Sequence, residues 1–312
     1  MAHVWQISII AFSSITSLRG VVLYSEPKKQ KNRMSIRTNL IKLINSYTIP
    51  PLKNASISIK LNEIEYKVST NNQGAFSLDL DYSIEKEPNI SVFYQGKKLI
   101  INQDYPIFHK NSQGNIDVIS DIDDTLIVSH TATAIKRIGT LAMVSPHKRK
   151  TIEFTEKIIN YLKKNHAGVF YVSKSESNLF GVLSSFIEHN KLPKGFLLLT
   201  PYLNFVQLLK GKKGKDFKIE NISFIIENSG DEKFVLFGDD TQKDMKIYTK
   251  IAKYYPDRIS KIYIRQTKTK INKRKQMYWE NLKSTFPKSV YFNKETDINA
   301  ELKSIDKLFK KQ

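Results

Sequence analysis

Two periodicities divide the chain. In the first part, Ala55-Ser56-Ile57-Ser58-Ile59-Lys60-Leu61, Tyr66-Lys67-Val68 and Ala75-Phe76-Ser77-Leu78-Asp79-Leu80 alternate apolar and polar residues. That period of two belongs to strands with one buried face. Asn71-Asn72-Gln73-Gly74 supplies turn chemistry between the last two, and Ile7–Phe12, Gly20–Tyr24, Ile90–Tyr94 and Leu99–Ile101 read as further strands. Asn39–Tyr47 places Leu40, Ile41, Leu43, Ile44 and Tyr47 at helical spacing, a short helix closed by Pro50-Pro51. Short strands joined by turns predict a small β-sandwich-like domain over residues 1–114.

The polar stretch His109–Asn115, with Gly114, marks the boundary, and the pattern then changes. Continuous apolar runs (Val118-Ile119, Val169–Val172, Phe196–Leu199, Phe234–Phe237, Ile259–Ile264) alternate with amphipathic segments at Thr151–Lys164, Ser175–His189, Phe217–Glu227 and Thr241–Tyr255. Strand–helix alternation of this kind predicts an α/β domain over residues 115–267, built on a parallel sheet covered by helices. Residues 268–312 are rich in lysine and are predicted to be helical.

Composition narrows the choices. Fifty basic against thirty acidic side chains give a net charge of +20 and a pI near 9.7, which favours anionic partners. The absence of cysteine removes disulfides, thiolate catalysis and thiolate-bound zinc. Ile7–Phe12 is too short for a signal peptide core, and no run approaches the ~18 apolar residues of a membrane span. The expectation is a cytoplasmic protein, at most peripheral to anionic membranes. Nucleic acid is not an expected partner, because charge alone favours it and no compact basic-aromatic motif is present.

The candidate chemistry lies where apolar runs end. Val118-Ile119-Ser120 leads into Asp121-Ile122-Asp123-Asp124-Thr125, at the carboxyl end of a strand, where open α/β sheets place their sites. Acids so close together repel unless a cation sits between them or they face water. An EF-hand loop is excluded, since its sixth and twelfth positions would be Leu126 and Ala132. The functional reading is a divalent cation with an aspartate nucleophile beside it. Two other apolar runs end in Ser173-Lys174-Ser175 and in Gly238-Asp239-Asp240-Thr241-Gln242-Lys243-Asp244, and Lys218 opens a helix between them.

In this order the residues resemble the four-motif set of the haloacid dehalogenase superfamily. Ser120–Thr125, Tyr171–Ser175, Phe237–Asp240 and Ile262–Arg265 further resemble the actin-patch-protein family of phosphatidate phosphatases, as does the β-rich leader around Ser69–Leu78. The extension 268–312 has no counterpart. The chain departs from the family at Asp240, where relatives commonly carry serine, and at Lys174, where they carry asparagine.

The resemblance implies a Rossmann-like parallel sheet of the haloacid dehalogenase type with a minimal cap. Val128–Pro146 leaves room for a helical flap only. It also implies a magnesium-dependent phosphatase acting through an aspartyl-phosphate on phosphatidate or a related lipid phosphate. Asp121 would be the nucleophile and Asp123 the general acid and base. Asp121, Asp123 (by its main-chain carbonyl) and Asp239 would hold Mg2+, with Asp240 or Asp244 completing the set. Ser173, Lys218, Thr125 and Lys174 would bind the phosphoryl group. Two alternatives stay open: a phosphatase of soluble or protein phosphomonoesters, and a catalytically idle module that binds acidic membranes.

Overall fold

The computed structural model describes residues 2–24, 47–101, 103–110, 114–123, 125–126, 151–203, 217–241 and 243–309. The helix expected at Asn39–Tyr47 (save Tyr47) and the flap expected at Val128–Pro146 lie outside the described residues.

The alternating first part forms β1 (His3–Ala11), β2 (Thr16–Leu23), β3 (Ser56–Leu61), β4 (Ile64–Ser69), β5 (Ala75–Leu80), β6 (Ile90–Tyr94), β7 (Lys97–Lys98), β8 (Ile100–Ile101) and β9 (Phe108–Lys110). One sheet has the order β5-β2-β1-β8, with β9 also pairing β1, and the second has the order β4-β3-β6-β7. The two share one core: Val4, Ile7, Ile9, Leu18 and Val22 pack with Ile57, Ile59, Leu61 and Val92. β3 alternates inside and outside as its sequence requires. β1 does not, because its second face is covered by the rest of the molecule. The Trp5 indole N–H donates to the Ser177 carbonyl at 2.8 Å, and Phe12 stacks on Phe170 with 6.2 Å between centroids. The boundary segment is also less open than its polar sequence implies. His109 lies in β9, its ring 5.7 Å from that of Phe196, and burial lowers its pKa to about 4.

The second part runs β10 (Ile116–Ser120), α1 (Glu153–Lys164), β11 (Val169–Glu176), α2 (Phe180–His189), β12 (Phe196–Thr200), α3 (Phe217–Asn228), β13 (Lys233–Asp239), α4 (Asp244–Tyr254), β14 (Ile259–Arg265), α5 (Lys273–Thr285), β15 (Ser289–Phe292) and α6 (Ile298–Phe309). These strands form one parallel sheet in the order β12-β11-β10-β13-β14-β15. Successive side chains of a strand point to opposite faces, so each strand feeds two cores. Val118, Tyr171, Val235 and Tyr263 pack with α1, α2 and α6 through Ile158, Leu183 and Ile305. Ile119, Phe170, Leu236 and Ile262 pack with α3, α4 and α5 through Ile225, Ile251 and Leu282. Burial on both sides explains why these strands read as unbroken apolar runs.

Two elements differ from expectation. The segment after Gln266, expected to be helical, is helix–strand–helix, and its β15 becomes the sixth strand through pairs such as Tyr263↔Val290. Ser289-Val290-Tyr291-Phe292 is a short apolar run whose burial against Phe154 and Tyr263 outweighs its lysine-rich surroundings. β11 stays extended to Glu176, which pairs with Thr200, so no helix begins at Ser175. Among the described residues, no helix is long and apolar enough to cross a membrane.

Candidate active site

Strand order reverses at β10: the chain steps to β11 on one side and to β13 on the other. The crevice at the carboxyl ends of such strands is where open α/β sheets bind ligands. Asp121 follows β10 directly, and its backbone N–H donates to the Phe237 carbonyl of β13 at 2.9 Å. The Tyr248 hydroxyl of α4 donates to that carbonyl at 2.7 Å. One acceptor thus ties together the first acid, the strand carrying Asp239 and the helix opened by Asp244.

Gly238 lets these parts approach. A Cβ there would lie 2.8 Å from the Asp244 Cβ and 2.7 Å from the Tyr248 ring, so any side chain would push α4 away. Asp121, Asp239 and Asp244 each offer an oxygen within 4.8 Å of the others, and all three are buried. Lys218, at the start of α3 and 1% exposed, places its Nζ 2.6 Å from Asp244 Oδ1 and 2.9 Å from Asp121 Oδ2. The contact with Asp244 is a hydrogen bond; that with Asp121 is an ion pair lacking hydrogen-bond geometry.

The charge count is unbalanced. Three buried carboxylates face one ammonium. Burial pushes Asp121 well above the usual carboxylate range; Lys218 opposes this, and Asp244, Asp239 and Asp123 reinforce it. Burial, with Asp244 beside it, lifts Asp239 to about 7 against the pull of Lys218 and the donors of Thr241. For Lys218 burial acts downward, and the surrounding acids more than reverse it. Groups held at such cost mark functional sites. A divalent cation fits this donor set, since all ligand atoms are hard oxygens and both Asp121 oxygens lack a hydrogen-bond donor among the described residues.

Asp123 stands apart from the triad. Its Oδ2 accepts from the hydroxyls of Ser173 at 3.1 Å and Ser175 at 2.8 Å. The two serines share a face because β11 is still extended there. Ser173 Oγ also accepts the Ser175 backbone N–H at 2.9 Å. Thr125 is fully buried, and its hydroxyl has no partner among the described residues. Lys174 is partly buried and its pKa is lowered, first by burial and then by Lys218.

Asp240 turns the other way. Its carboxylate accepts from the Tyr291 hydroxyl at 2.7 Å and from the hydroxyl and backbone N–H of Thr267, and forms an ion pair with Lys275 Nζ at 2.9 Å. It is not in the cluster of Asp121, Asp239 and Asp244.

Residues 116–266 match the model of the catalytic domain of phosphatidate phosphatase APP1. Over this segment the chain is similar to that family. Phosphatidate phosphatase APP1 of Saccharomyces cerevisiae is 31% identical over 170 residues, covering 53% of this chain and 28% of the relative. An uncharacterized protein of Schizosaccharomyces pombe is 28% identical over 211 residues, covering 64% of this chain and 34% of its own length. The chain thus spans about a third of the length of the curated relatives it matches. Among solved structures, a chain of the Pnkp1/Rnl/Hen1 complex aligns at 16% identity over 54% of this chain and 53% of its own, with a TM-score of 0.32, too low to establish a shared fold.

Within the APP1-type segment, sequence reasoning passed over Ser175 and Tyr248. Ser175 carries a signal, since Ser-x-Ser on an extended chain mirrors Asp-x-Asp across the crevice. Tyr248 carries none, because a tyrosine at helical spacing reads as core.

Proposed function

We propose that the chain is a magnesium-dependent phosphatase of haloacid dehalogenase type that hydrolyses a phosphomonoester, with phosphatidate as the substrate the family favours. One observation carries this reading: Asp121, Asp239 and Asp244 cluster at a sheet's switch point with one buried lysine paired to Asp121 and Asp244, while Asp123 is held two residues away by a separate pair of hydroxyls. Structural acids have no need of such an arrangement.

In the first step an Asp121 oxygen attacks phosphorus in line and the bond to the alcohol oxygen breaks. Asp123 gives its proton to that departing oxygen, and an aspartyl-phosphate remains on Asp121. In the second step water attacks the same phosphorus and surrenders its proton to Asp123; phosphate leaves and the Asp121 carboxylate returns. Ser173 and Ser175 fix the orientation of Asp123 by donating to one of its oxygens. Lys218 and Lys174 supply positive charge where the phosphoryl oxygens gain negative charge. Asp121, Asp239 and Asp244, with the main-chain carbonyl of Asp123, would hold the ion. Asp240 is left out because its donors come from the other side. Magnesium bound there would neutralise the acids and screen the phosphoryl charge.

The test is phosphate release from phosphatidate in mixed micelles and from p-nitrophenyl phosphate, with magnesium and with chelator, for the wild type and Asp121→Asn. Release is expected to require magnesium and to fall to background in Asp121→Asn. Release that survives Asp121→Asn would remove the nucleophile assignment. Equal rates on both substrates would remove the lipid preference.

A further inference from the structure

The segment that follows β14 is tied to the active-site rim at both ends, and by one residue. At its start Thr267 donates to the Asp240 carboxylate through both its hydroxyl and its backbone N–H. At its end Lys275 Nζ lies 2.9 Å from the same Asp240 Oδ1. Asp240 is itself anchored by its backbone N–H, which donates to the Arg265 carbonyl at 3.2 Å. It follows Asp239 in the chain, so the stretch Lys268–Arg274, a loop to Asn272 and then the first residues of α5, starts and finishes beside the carboxyl ends of β13 and β14.

The loop is held in shape from within. The Gln266 side-chain amide donates to the carbonyls of Lys268 and Thr269 at 2.9 and 3.2 Å. Asn272 caps α5 by accepting the Lys275 backbone N–H at 2.9 Å. Between these fixed points, Lys268, Lys270, Lys273 and Arg274 are exposed, and none forms an ion pair with an acid among the described residues. The loop itself contains no acid. The carboxylate that could have neutralised it is buried beneath, saturated by Thr267, Tyr291 and Lys275.

We infer that Lys268–Arg274 is a docking surface for an anionic lipid bilayer, held at the mouth of the site by Asp240. Charge complementarity selects the partner: four exposed cations on one short constrained stretch, Arg274 steadied by donating to the Tyr278 hydroxyl at 2.7 Å, meet a leaflet whose surface is a sheet of anionic headgroups. The anchor fixes the direction, because a loop pinned next to Asp239 cannot contact a membrane without turning the strand ends toward it. The inference concerns partner binding and does not rest on the phosphatase reading. Asp240, which departs from the serine of relatives, thereby acquires a role unrelated to the metal.

The experiment is flotation of the full chain with vesicles of phosphatidylcholine alone and of phosphatidylcholine containing about 30% phosphatidylserine, at low and high salt. Two variants accompany it: K268E/K270E/K273E/R274E, and K268R/K270R/K273R, which keeps the charge. Wild type is expected to bind the anionic vesicles only and to release them in high salt. Each basic side chain near an anionic leaflet contributes roughly fivefold, so reversing four is expected to weaken partition at least about a hundredfold, while the arginine variant binds as wild type does. Equal binding by wild type and the reversed variant, provided both melt at the same temperature, would overturn the inference. So would a wild type that ignores anionic vesicles, or one that prefers duplex DNA over them at equal charge concentration. Because no turnover is measured, this outcome and the assay on Asp121→Asn can fail independently.

Discussion

Asp239 and Asp240 are neighbours in the chain and both are buried, yet they belong to opposite kinds of environment. Asp240 is one carboxylate surrounded by donors: Tyr291, both groups of Thr267 and Lys275. Asp239 sits with Asp121 and Asp244 around one shared lysine, and its pKa is raised to about 7, chiefly by burial. Burial alone therefore does not separate a structural acid from a working one. The count of compensating charges does: a saturated carboxylate fixes the fold, and an undersupplied cluster could hold a cation.

The contrast can be broken in four places. The largest effect is expected from Lys218→Met, which leaves three buried acids with no buried counter-charge beside them, only the partly buried Lys174 nearby. Removing one partner of a buried ion pair costs about 3–5 kcal/mol, to be read as a loss in urea stability in chelator. Magnesium should return part of it, and an unchanged urea midpoint would show that the acids are already neutral. Asp123→Asn comes next. It should lower turnover about 10²–10⁴-fold with little change in stability, since its serine donors can still bond an amide oxygen.

A pH dependence follows from Asp239. Burial raises its carboxyl from the ordinary aspartate range to about 7 in the folded protein. Between those values the folded state holds more protons than the unfolded one, so stability of the metal-free protein falls as pH rises, by up to about 1.4 kcal/mol per pH unit. Asp239→Asn should make that decline shallower in melts recorded in chelator from pH 5 to pH 7.5, leaving the part that the raised Asp121 contributes. Magnesium, which requires the ionised form, should stabilise the wild type more at the upper end. A decline as steep in the variant as in the wild type would place the proton elsewhere.

The smallest effect is expected from Asp240→Asn. Losing the charged acceptor should cost about 1–3 kcal/mol of stability while leaving activity on a soluble ester within about tenfold of wild type. If activity instead vanished as in Asp121→Asn, the two acids would not be different in kind.

Much of this was legible in the residues, unevenly. Asp121 and Asp123 stand out because an unbroken apolar run leads into them, and a strand buried on both faces has few ways to end in acids. Ser173 and Lys218 were found by order along the chain, and the structure brings Asp123 and Asp121 against them. The β-rich leader was readable from its period of two, except in β1, whose second face is hidden by Phe170 and Ser177, far away in sequence. The roles of Asp240 and Asp244 were not readable. Adjacent acids look alike in sequence, and which way each points depends on Thr267, Lys275 and Tyr291, brought in by the segment after β14 that runs through α5 to β15. That strand was missed because Val290-Tyr291-Phe292 is too short to show a period among so many lysines.

The addition of β15 bears on where this enzyme-like unit stops. The family match ends at Gln266, and a fragment cut there looks natural on the page. It would lose the outermost strand, baring the hydrogen-bonding edge of β14, and unpaired edges of that sort invite chains to stick to one another. The same cut would take away Thr267, Lys275 and Tyr291, stranding Asp240 with a buried negative charge beside the site. Anyone isolating the catalytic part should therefore carry the chain on through Phe309, the end of α6.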